Sequence, residues 1–193
     1  MAPVLLLAST SPYRRELLTR LALPFETCAP RLNESYLAGE SPADRALRLA
    51  VGKARSVASE RPGAVVIGSD QVAAVGDEVL DKPGDATRAR TQLAALSGRG
   101  AHFHTACAVL GGADELHLAH VDTTRVVFRS LSAEEIDRYL AHEQPYDCAG
   151  SFKAEALGIS LLECIESQDP TALIGLPLIW LAGALRAAGF RLP

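Results

Sequence analysis

The chain has 193 residues, of which 48% are hydrophobic and 22% are charged. This length and mixture are typical of one globular domain with a substantial core. The formal net charge of −4 excludes a general attraction for nucleic acid polymers or for an anionic membrane surface. An anionic ligand would therefore need a local cluster of basic residues.

The cysteines and the apolar stretches indicate the compartment. Four cysteines, none in a C-x-x-C pair, favour a reducing environment in which thiols stay free. No apolar stretch reaches the ~18 residues that a membrane-spanning helix needs. The apolar residues 1–8 contain no basic residue and are too short for a secretory signal. We therefore expect a cytoplasmic protein.

The first predicted elements are a strand over residues 4–8 and a helix over residues 12–22. Ser11 is a suitable N-cap for this helix. Arg14 and Arg15 lie in its first turn, where cations oppose the helix dipole, so that a bound anion would compensate their charge. Serine hydroxyls and free N–H groups would complete a phosphate cradle. The alternative is two solvated arginines on an exposed turn.

A second strand is predicted over residues 25–28, followed by an irregular polar segment that contains Glu34. Ser41 then begins a helix that we expect to end near residue 58. Its apolar stripe consists of Leu47, Ala50, Ala54 and Val57. Lys53 lies one position from this stripe, so it could extend along the edge of the core toward a site. The alternative is an ordinary surface lysine.

Residues 64–72 read AVVIGSDQV. The apolar run is typical of a strand buried on both faces, and Ser69 and Asp70 are predicted to mark its end. Gly68 allows backbone or ligand to approach closely. Because an ionised carboxylate is costly there unless a cation, a metal or N–H donors satisfy it, Asp70 is a candidate for holding a metal or activating water. The alternative is an aspartate that bonds the backbone of its own turn.

The second half of the chain continues to mix strands and helices. We expect helices over residues 85–96 and 132–141, strands over residues 101–110, 115–129 and 159–165, and a last helix between Gly175 and Gly189. Turns are predicted at Gly76-Asp77 and Gly111-Gly112. Because βα units combine with a central hairpin, and no repeat or linker interrupts them, we predict one α/β domain, residues 1–193, with a mixed sheet.

His102 and His104 share one face of their predicted strand. Two histidines at this spacing can bind a metal, but no third ligand with a matching spacing stands nearby. A metal site at these histidines is therefore not favoured.

Five motifs along the chain together resemble the Maf family of nucleoside triphosphate pyrophosphatases. They are LASTSPYRRELL at residues 7–18, GSDQV at 68–72, DKP at 81–83, CAGSFKAE at 148–155 and DPTALIGLPL at 169–178. The resemblance covers nearly the whole chain. Because the motifs match the family in order and spacing, together they are far more specific than any one of them.

The resemblance implies a fold and an activity. The fold is that of the inosine triphosphatases, an elongated mixed β-sheet flanked by helices around a deep cleft. The activity is hydrolysis of a nucleoside triphosphate between the α- and β-phosphorus atoms, with divalent Mg²⁺ or Mn²⁺ as cofactor. A homodimer is compatible with the sequence, which does not itself give the oligomeric state.

The resemblance also implies roles for individual residues. Asp70 matches the family's proton acceptor and Glu34 matches an acidic residue of the site, so that both are expected to hold the metal. The phosphate-binding positions are matched by Ser9, Arg14, Arg15, Lys53 and Lys82. Asn33 precedes Glu34 where the family often has aspartate, so a second carboxylate is missing at this point.

Three positions distinguish the subgroups of the family: Tyr13, Gln71 and Glu155. Thymidine and uridine triphosphatases typically have Arg, Thr and Gln there, and this chain differs at all three. It resembles instead the subgroup that acts on 7-methylguanosine triphosphate, which often has Trp where Tyr13 stands. N7-methylguanine carries a positive charge that an aromatic ring attracts, and Glu155 could accept hydrogen bonds from its N1–H and N2–H groups.

Two other functions stay open on the sequence alone. One is hydrolysis of the pyrimidine nucleotides dTTP and UTP. The other is a nucleotide-sensing regulator of cell division with little turnover, a role long attached to the family name. Asp70 among several cations favours turnover, because a protein that only binds a nucleotide needs no water-activating acid.

Overall fold

The computed structural model describes residues 3–111 and 116–193. Within these residues the strands are β1 (Leu5–Ala8), β2 (Glu26–Cys28), β3 (Val65–Val75), β4 (Glu78–Leu80), β5 (Gly100–Gly111), β6 (Leu116–Phe128) and β7 (Leu162–Glu166). The helices are α1 (Pro12–Thr19), α2 (Pro42–Ala58), α3 (Ala86–Leu96), α4 (Ala133–Glu143) and α5 (Leu178–Ala187). Short 3-10 helices occur at Ala149–Ser151, Leu157–Leu161 and Ala172–Ile174.

The described strands form a seven-stranded sheet in the order β2-β1-β3-β5-β6-β7, with β4 also paired to β3. β1 runs parallel to β2 and β3, whereas the other pairs are antiparallel. The predicted α/β fold with a mixed sheet is therefore confirmed. The predicted turn at Gly111-Gly112 and the predicted strand start at Glu115 fall partly outside the described residues, because Gly112 and Glu115 are not among them.

One face of the sheet is covered by α2. Side chains alternate between the two faces of a strand, and on β3 Val66 and Val72 point to this face. Val66 packs in a cluster with Ala54 of α2, and Val72 packs in a cluster with Ala50. Because the small residues of α2 meet β3, helix and strand lie close together.

The opposite face carries two separate apolar clusters. Ile67 belongs to the cluster of α1 and α5, and Ala73 belongs to the cluster of α3 and α4. Ser69 and Gln71 point to the same face and lie between these clusters along β3. Polar side chains are thereby placed where neither helix pair supplies an apolar partner.

One edge of β3 has a strand neighbour along only part of its length. β1 pairs with it from Val65 to Gly68, and β4 pairs with it from Ala73 to Val75. Residues 69–72 face no described strand on this edge. The prediction that the strand ends at Ser69 and Asp70 is therefore wrong: β3 continues, and its neighbour β1 ends. Crevices outside the ends of such strands are where α/β sheets bind ligands.

Two predicted boundaries also differ from the structure. The first helix ends at Thr19 rather than residue 22, because Ala22 has a positive φ of 53° that a helix does not allow. The predicted strand over residues 159–165 begins only at Leu162 and follows a 3-10 helix. Among the described helices, none combines the length and the apolar character needed to cross a bilayer.

Candidate active site

A cleft of about 660 Å³ opens beside the part of β3 that lacks a strand neighbour. This volume is in the range typical of small-molecule sites. Its walls come from the start of α1, from α2 and β3, and from the loops on either side. The following predicted site residues line it: Ser9, Tyr13, Arg14, Glu34, Lys53, Asp70, Gln71, Lys82 and Glu155.

An ion-paired centre lies where α2 crosses β3. Lys53 Nζ is 2.6 Å from Asp70 Oδ1 and 3.0 Å from Glu34 Oε1. Lys53 and Asp70 are buried, and Glu34 is half exposed in the irregular segment after β2. A buried charge is costly unless it is paired, so Lys53 and Asp70 can be buried only as a pair. Lys53 is thus not a surface lysine, and Asp70 does not bond a turn.

Gly68 allows this centre to form. A Cβ atom at Gly68 would lie 2.2 Å from the carbonyl oxygen of Ala50 and 2.6 Å from the backbone nitrogen of Ala54. A side chain there would therefore push α2 away from β3. Lys53 lies on α2 between these contacts and reaches Asp70, two residues further along β3. The close approach of helix and strand sets the ion-pair distance.

The opposite face of β3 is fixed by the loop before α5. Ser69 Oγ donates to the carbonyl of Gly175 at 2.9 Å. Gln71 Nε2 donates to Thr105 Oγ1 at 2.9 Å and to the carbonyls of Ala172 and Leu173 at 3.2 and 2.9 Å. Both amide hydrogens of Gln71 are therefore used, and its Oε1 is the atom left for a ligand.

Arg14 forms part of the cleft wall and is held from behind. Its Nε donates to the carbonyl of Gly175 at 3.0 Å, and its backbone N–H is capped by Ser11 Oγ. Burial lowers the pKa of Arg14, an effect that the charge of Asp70 opposes. Ser9 lies beside it, where its Oγ accepts the Ser11 N–H at 3.1 Å. This wall presents a guanidinium next to a helix start, as a phosphate site requires.

Arg15 and Lys82 occupy different positions from each other. Arg15 is exposed and lines a shallower adjoining pocket of about 350 Å³ instead of the cleft. Lys82 is exposed and lines the cleft from the loop after β4. The structure therefore brings Arg14 and Lys82 together around the ion-paired centre but leaves Arg15 beyond the wall.

The three positions predicted to read the base line the same cleft, although they come from distant parts of the chain. Tyr13 Oη donates to Asp147 Oδ2 at 3.2 Å and accepts a weak contact from Cys148 Sγ at 3.8 Å. Burial, together with Cys148 and Asp147, raises the pKa of Tyr13, which stays protonated. Glu155 is exposed at the cleft and has no ion-pair partner among the described residues.

Some residues of the site were not predicted. Arg45, Tyr36 and Asp147 belong to no pattern that indicates a site, yet Arg45 and Asp147 line the cleft and Tyr36 stacks on Arg45. The backbone carbonyls around Gly175 were also missed, because a sequence does not show where carbonyls point. The DPTALIGLPL motif was the one available signal for that loop.

The histidines on β5 lie apart from the cleft lining. His102 and His104 stack with ring centroids 6.2 Å apart, and His104 Nδ1 contacts Thr123 Oγ1 at 3.0 Å. Burial and His102 lower the pKa of His104. No group of three potential ligands of the His, Cys, Asp or Glu type occurs in residues 3–111 and 116–193, so these histidines have no ligand set for a protein-held metal.

The cleft lining is not positively charged. Four cations line it, namely Arg14, Arg45, Lys53 and Lys82. They face five carboxylates of Glu34, Asp70, Asp81, Asp147 and Glu155. The side chains of the lining alone therefore do not neutralise an anionic ligand. Two of these carboxylates, on Glu34 and Asp70, converge on Lys53 and suit Mg²⁺, which typically takes one or two protein carboxylates plus phosphate oxygens.

Comparison with known proteins identifies the family. Residues 4–188 match the family described as "Maf-like protein". A protein of Xanthomonas oryzae pv. oryzae is 55% identical over 193 residues, covering 100% of both chains. Proteins of Bordetella pertussis and Cupriavidus metallidurans are 54% and 53% identical, covering 97% of this chain and 93% and 94% of theirs. All three relatives are named 7-methyl-GTP pyrophosphatase. The chain belongs to the Maf family.

Proposed function

We propose that the protein hydrolyses 7-methylguanosine triphosphate between the α- and β-phosphorus atoms, giving the monophosphate and pyrophosphate. The observation that carries this proposal is that one cleft holds both the Lys53–Asp70 pair and the residues Tyr13, Gln71 and Glu155. The names of relatives with 53–55% identity support the same substrate. Such an activity would remove modified nucleotides from the cellular pool.

Asp70 is the proposed proton acceptor. Its Oδ1 accepts the short bond from Lys53, whereas its Oδ2 accepts no hydrogen bond from the described residues. The free oxygen can orient a water molecule and take up its proton as the water attacks the α-phosphorus. The 2.6 Å hydrogen bond from Lys53 Nζ to Oδ1 keeps the carboxylate in place.

The cations of the cleft have a second task in this proposal. Charge develops on the leaving pyrophosphate as the bond to the α-phosphorus breaks. Arg14 and Lys82 donate to phosphate oxygens and stabilise this charge, and the Arg14–Gly175 bond fixes the guanidinium before the substrate arrives. Donors that are already oriented need no reorganisation during the reaction.

A divalent metal, Mg²⁺ or Mn²⁺, is part of the proposal. Glu34 and Asp70 are the residues that would hold it, and phosphate oxygens would complete its ligands. When bound, the metal neutralises phosphate charge and polarises a phosphoryl oxygen. The excess of carboxylates over cations in the cleft lining supports this requirement.

The base is recognised by side chains on two sides. The Tyr13 ring attracts the positively charged methylated base, an interaction of about 0.5–2 kcal/mol. Glu155 accepts hydrogen bonds from the N1–H and N2–H edge and offsets the same charge. Gln71 presents Oε1 alone, because its amide hydrogens are used by the loop before α5.

A reducing compartment is part of the proposal as well. Cys28, Cys107, Cys148 and Cys164 are all free thiols. Free thiols are typical of cytoplasmic proteins, and we infer that the protein acts there.

The test is pyrophosphate release from a panel of 7-methyl-GTP, GTP, dTTP and UTP, with Mg²⁺ or Mn²⁺ and with a chelator. We expect the highest kcat/KM on 7-methyl-GTP and no release with the chelator. A preference for dTTP or UTP would contradict the base assignment. Tight nucleotide binding without pyrophosphate release would instead support a sensing role and overturn the proposed reaction.

A further inference from the structure

Arg45 is a cleft residue that lies outside all five motifs of the family resemblance. It is near the start of α2 and shares the lining with Glu34, Lys53 and Lys82. Its Nε and Nη1 are shielded from solvent and have no hydrogen-bond partner among the residues that the structure describes. Shielded donors of a charged group are unfavourable without acceptors, and such exceptions in native proteins often mark functional sites.

The guanidinium of Arg45 packs on the aromatic ring of Tyr36. Arg45 Cζ lies 3.3 Å from the ring centroid of Tyr36. Tyr36 Oη donates to Asp81 Oδ1 at 2.6 Å, and Asp81 precedes Lys82. Through Tyr36, Arg45 is therefore joined to the loop that carries Lys82. Tyr36 is 55% exposed and belongs to residues 29–41, which form neither helix nor strand.

Two carboxylates of the segment before α2 have other partners. Glu34 pairs with Lys53, and Glu40 takes two bonds from Arg48 at 2.6 and 2.7 Å. Arg45 forms no ion pair within residues 3–111 and 116–193. The charge of Arg45 is consequently unpaired among these residues, whereas the charge of Lys53 is offset by Glu34 and Asp70.

The two ends of the cleft differ in chemistry. Tyr13 is tied to Asp147, and Gln71 is tied to Leu173, so the base-reading residues belong to the end formed by these loops. Arg45 reaches the cleft from α2, beside its ring partner Tyr36, whose hydroxyl bonds Asp81, the residue before Lys82. A nucleoside triphosphate with its base at Tyr13 and its α-phosphorus at Asp70 leaves its terminal phosphates to the cleft cations that pair with no described carboxylate, namely Arg14, Lys82 and Arg45.

We propose that Arg45 is a substrate-binding residue that contacts the β- and γ-phosphates, the part that leaves as pyrophosphate. This inference rests on the proposed function and adds a residue to it. A guanidinium donates charge-assisted hydrogen bonds to phosphate oxygens, and oxygens of two phosphates would supply acceptors for the unused Nε and Nη1, which point in different directions. The Tyr36 ring holds the guanidinium in place without neutralising its charge.

The experiment measures binding by calorimetry, with two ligands and in the presence of Mg²⁺. Inorganic pyrophosphate reports on the terminal phosphates, and 7-methyl-GMP reports on the base and the α-phosphate. We expect Arg45→Gln to weaken pyrophosphate binding by about tenfold to a hundredfold, the size of one or two charge-assisted hydrogen bonds, and to leave 7-methyl-GMP binding unchanged. Arg55→Gln is the matched control, because Arg55 is an exposed arginine of the same helix outside the cleft.

Three results would overturn the proposal: equal pyrophosphate affinity of the parent and Arg45→Gln, an equal loss for both ligands, or no pyrophosphate binding by the parent. If Arg45→Gln does not fold, Arg45→Lys keeps the charge but lacks the separate Nε and Nη donors of the guanidinium. Several-fold weaker pyrophosphate binding is then expected, and unchanged binding overturns the proposal. Pyrophosphate binding needs no turnover. If the proposed function fails, the parent does not hydrolyse the nucleotide, and this result is distinguishable from a failure of the Arg45 proposal, which is measured by pyrophosphate binding alone.

Discussion

The roles of Asp70 and Lys53 depend on contacts of single atoms. Lys53 Nζ bonds Asp70 Oδ1 and also approaches Glu34. If Asp70 loses its charge, Lys53 still has one carboxylate partner. A neutral residue at position 70 is therefore expected to remove the proton acceptor without leaving a buried ammonium group unpaired.

We predict that Asp70→Asn lowers the rate of pyrophosphate release by about 10²–10⁴-fold, the typical contribution of a general base. The melting temperature should change little, because Glu34 still pairs with Lys53. Asp77→Asn, in the exposed turn between β3 and β4, is the control and should keep the parent rate. More than a tenth of the parent activity in a folded Asp70→Asn variant would exclude this role.

We predict that Lys82→Ala and Arg14→Ala lower kcat/KM for every nucleoside triphosphate to a similar degree, because phosphate contacts are common to all of them. Lys82 is exposed, so its removal should leave the melting temperature unchanged. Arg14→Ala also loses the bond to Gly175 and should lower it. Arg88→Ala, an exposed arginine on α3, is the control. A changed order of preference among nucleotides would place either residue in the base pocket instead.

Nine of the residues that line the cleft were predicted from the sequence, but their orientation was not. Arg14 and Arg15 are neighbours in one helix, and successive residues of an α-helix point about 100° apart. Only Arg14 therefore reaches the cleft, and a motif that names both cannot distinguish them. Arg45 was missed because it belongs to no motif, and only the fold brings it to the cleft.

At the scale of elements, the contact of α2 with β3 organises the site. Ala46, Ala50 and Ala54 are buried where the helix meets the sheet, and Gly68 has no side chain to keep the helix from β3. Lys53 lies on this buried side and reaches over the strand edge that β1 leaves open. The site is therefore a consequence of small residues on two elements as much as of its charged residues.

We predict that Gly68→Ala destabilises the protein by about 1–3 kcal/mol or more, because its Cβ would overlap the carbonyl of Ala50. The melting temperature should fall by roughly 2–4 °C per kcal/mol in a protein of this size. Activity of the folded fraction should fall too, because α2 carries Lys53 away from Asp70. Thermal unfolding and pyrophosphate release measure the two effects.

Gly183→Ala is the matched control for this prediction. Gly183 lies inside α5, where a Cβ atom would have no neighbour within 4 Å. Alanine in a helix interior is about 0.5–1 kcal/mol more favourable than glycine, so this variant should melt slightly higher than the parent. An equal or higher melting temperature of Gly68→Ala would contradict the close packing of α2 on β3.

Hydrophobic patterns predicted the elements well where a single period persists. The helix over residues 42–58 and the long antiparallel strands follow from it directly. The end of β3 was misplaced because polar residues in a strand look like a turn when the neighbouring strand is unknown. The predicted strand over residues 159–165 includes the end of the 3-10 helix Leu157–Leu161, because short apolar runs do not distinguish the two structures.

At the scale of the whole molecule, the base pocket depends on long-range contacts. Tyr13 begins α1, Gln71 lies on β3, and Glu155 follows α4, yet all three line one cleft. The Ala172–Ile174 turn links two of these regions. Its carbonyls accept hydrogen bonds from Gln71, and the carbonyl of the next residue, Gly175, accepts one from Arg14, the neighbour of Tyr13. No local pattern encodes such a closure, and only the family resemblance grouped these positions before the structure did.

We predict that Glu155→Gln combined with Tyr13→Arg loses activity on 7-methyl-GTP and gains some on dTTP and UTP. The first change removes the counter-charge of the base, and the second replaces an attractive ring by a repelling cation. A pocket with unpaired partners discriminates by about 10⁴-fold or more, so the loss should be large. The gain should be small because Gln71 keeps its bonds to the loop.

The measurement is kcat/KM for the three nucleotides, with Glu163→Gln, an exposed carboxylate on β7, as control. If the double variant keeps the parent's order of preference, these residues do not read the base, although the hydrolytic centre at Asp70 would stand.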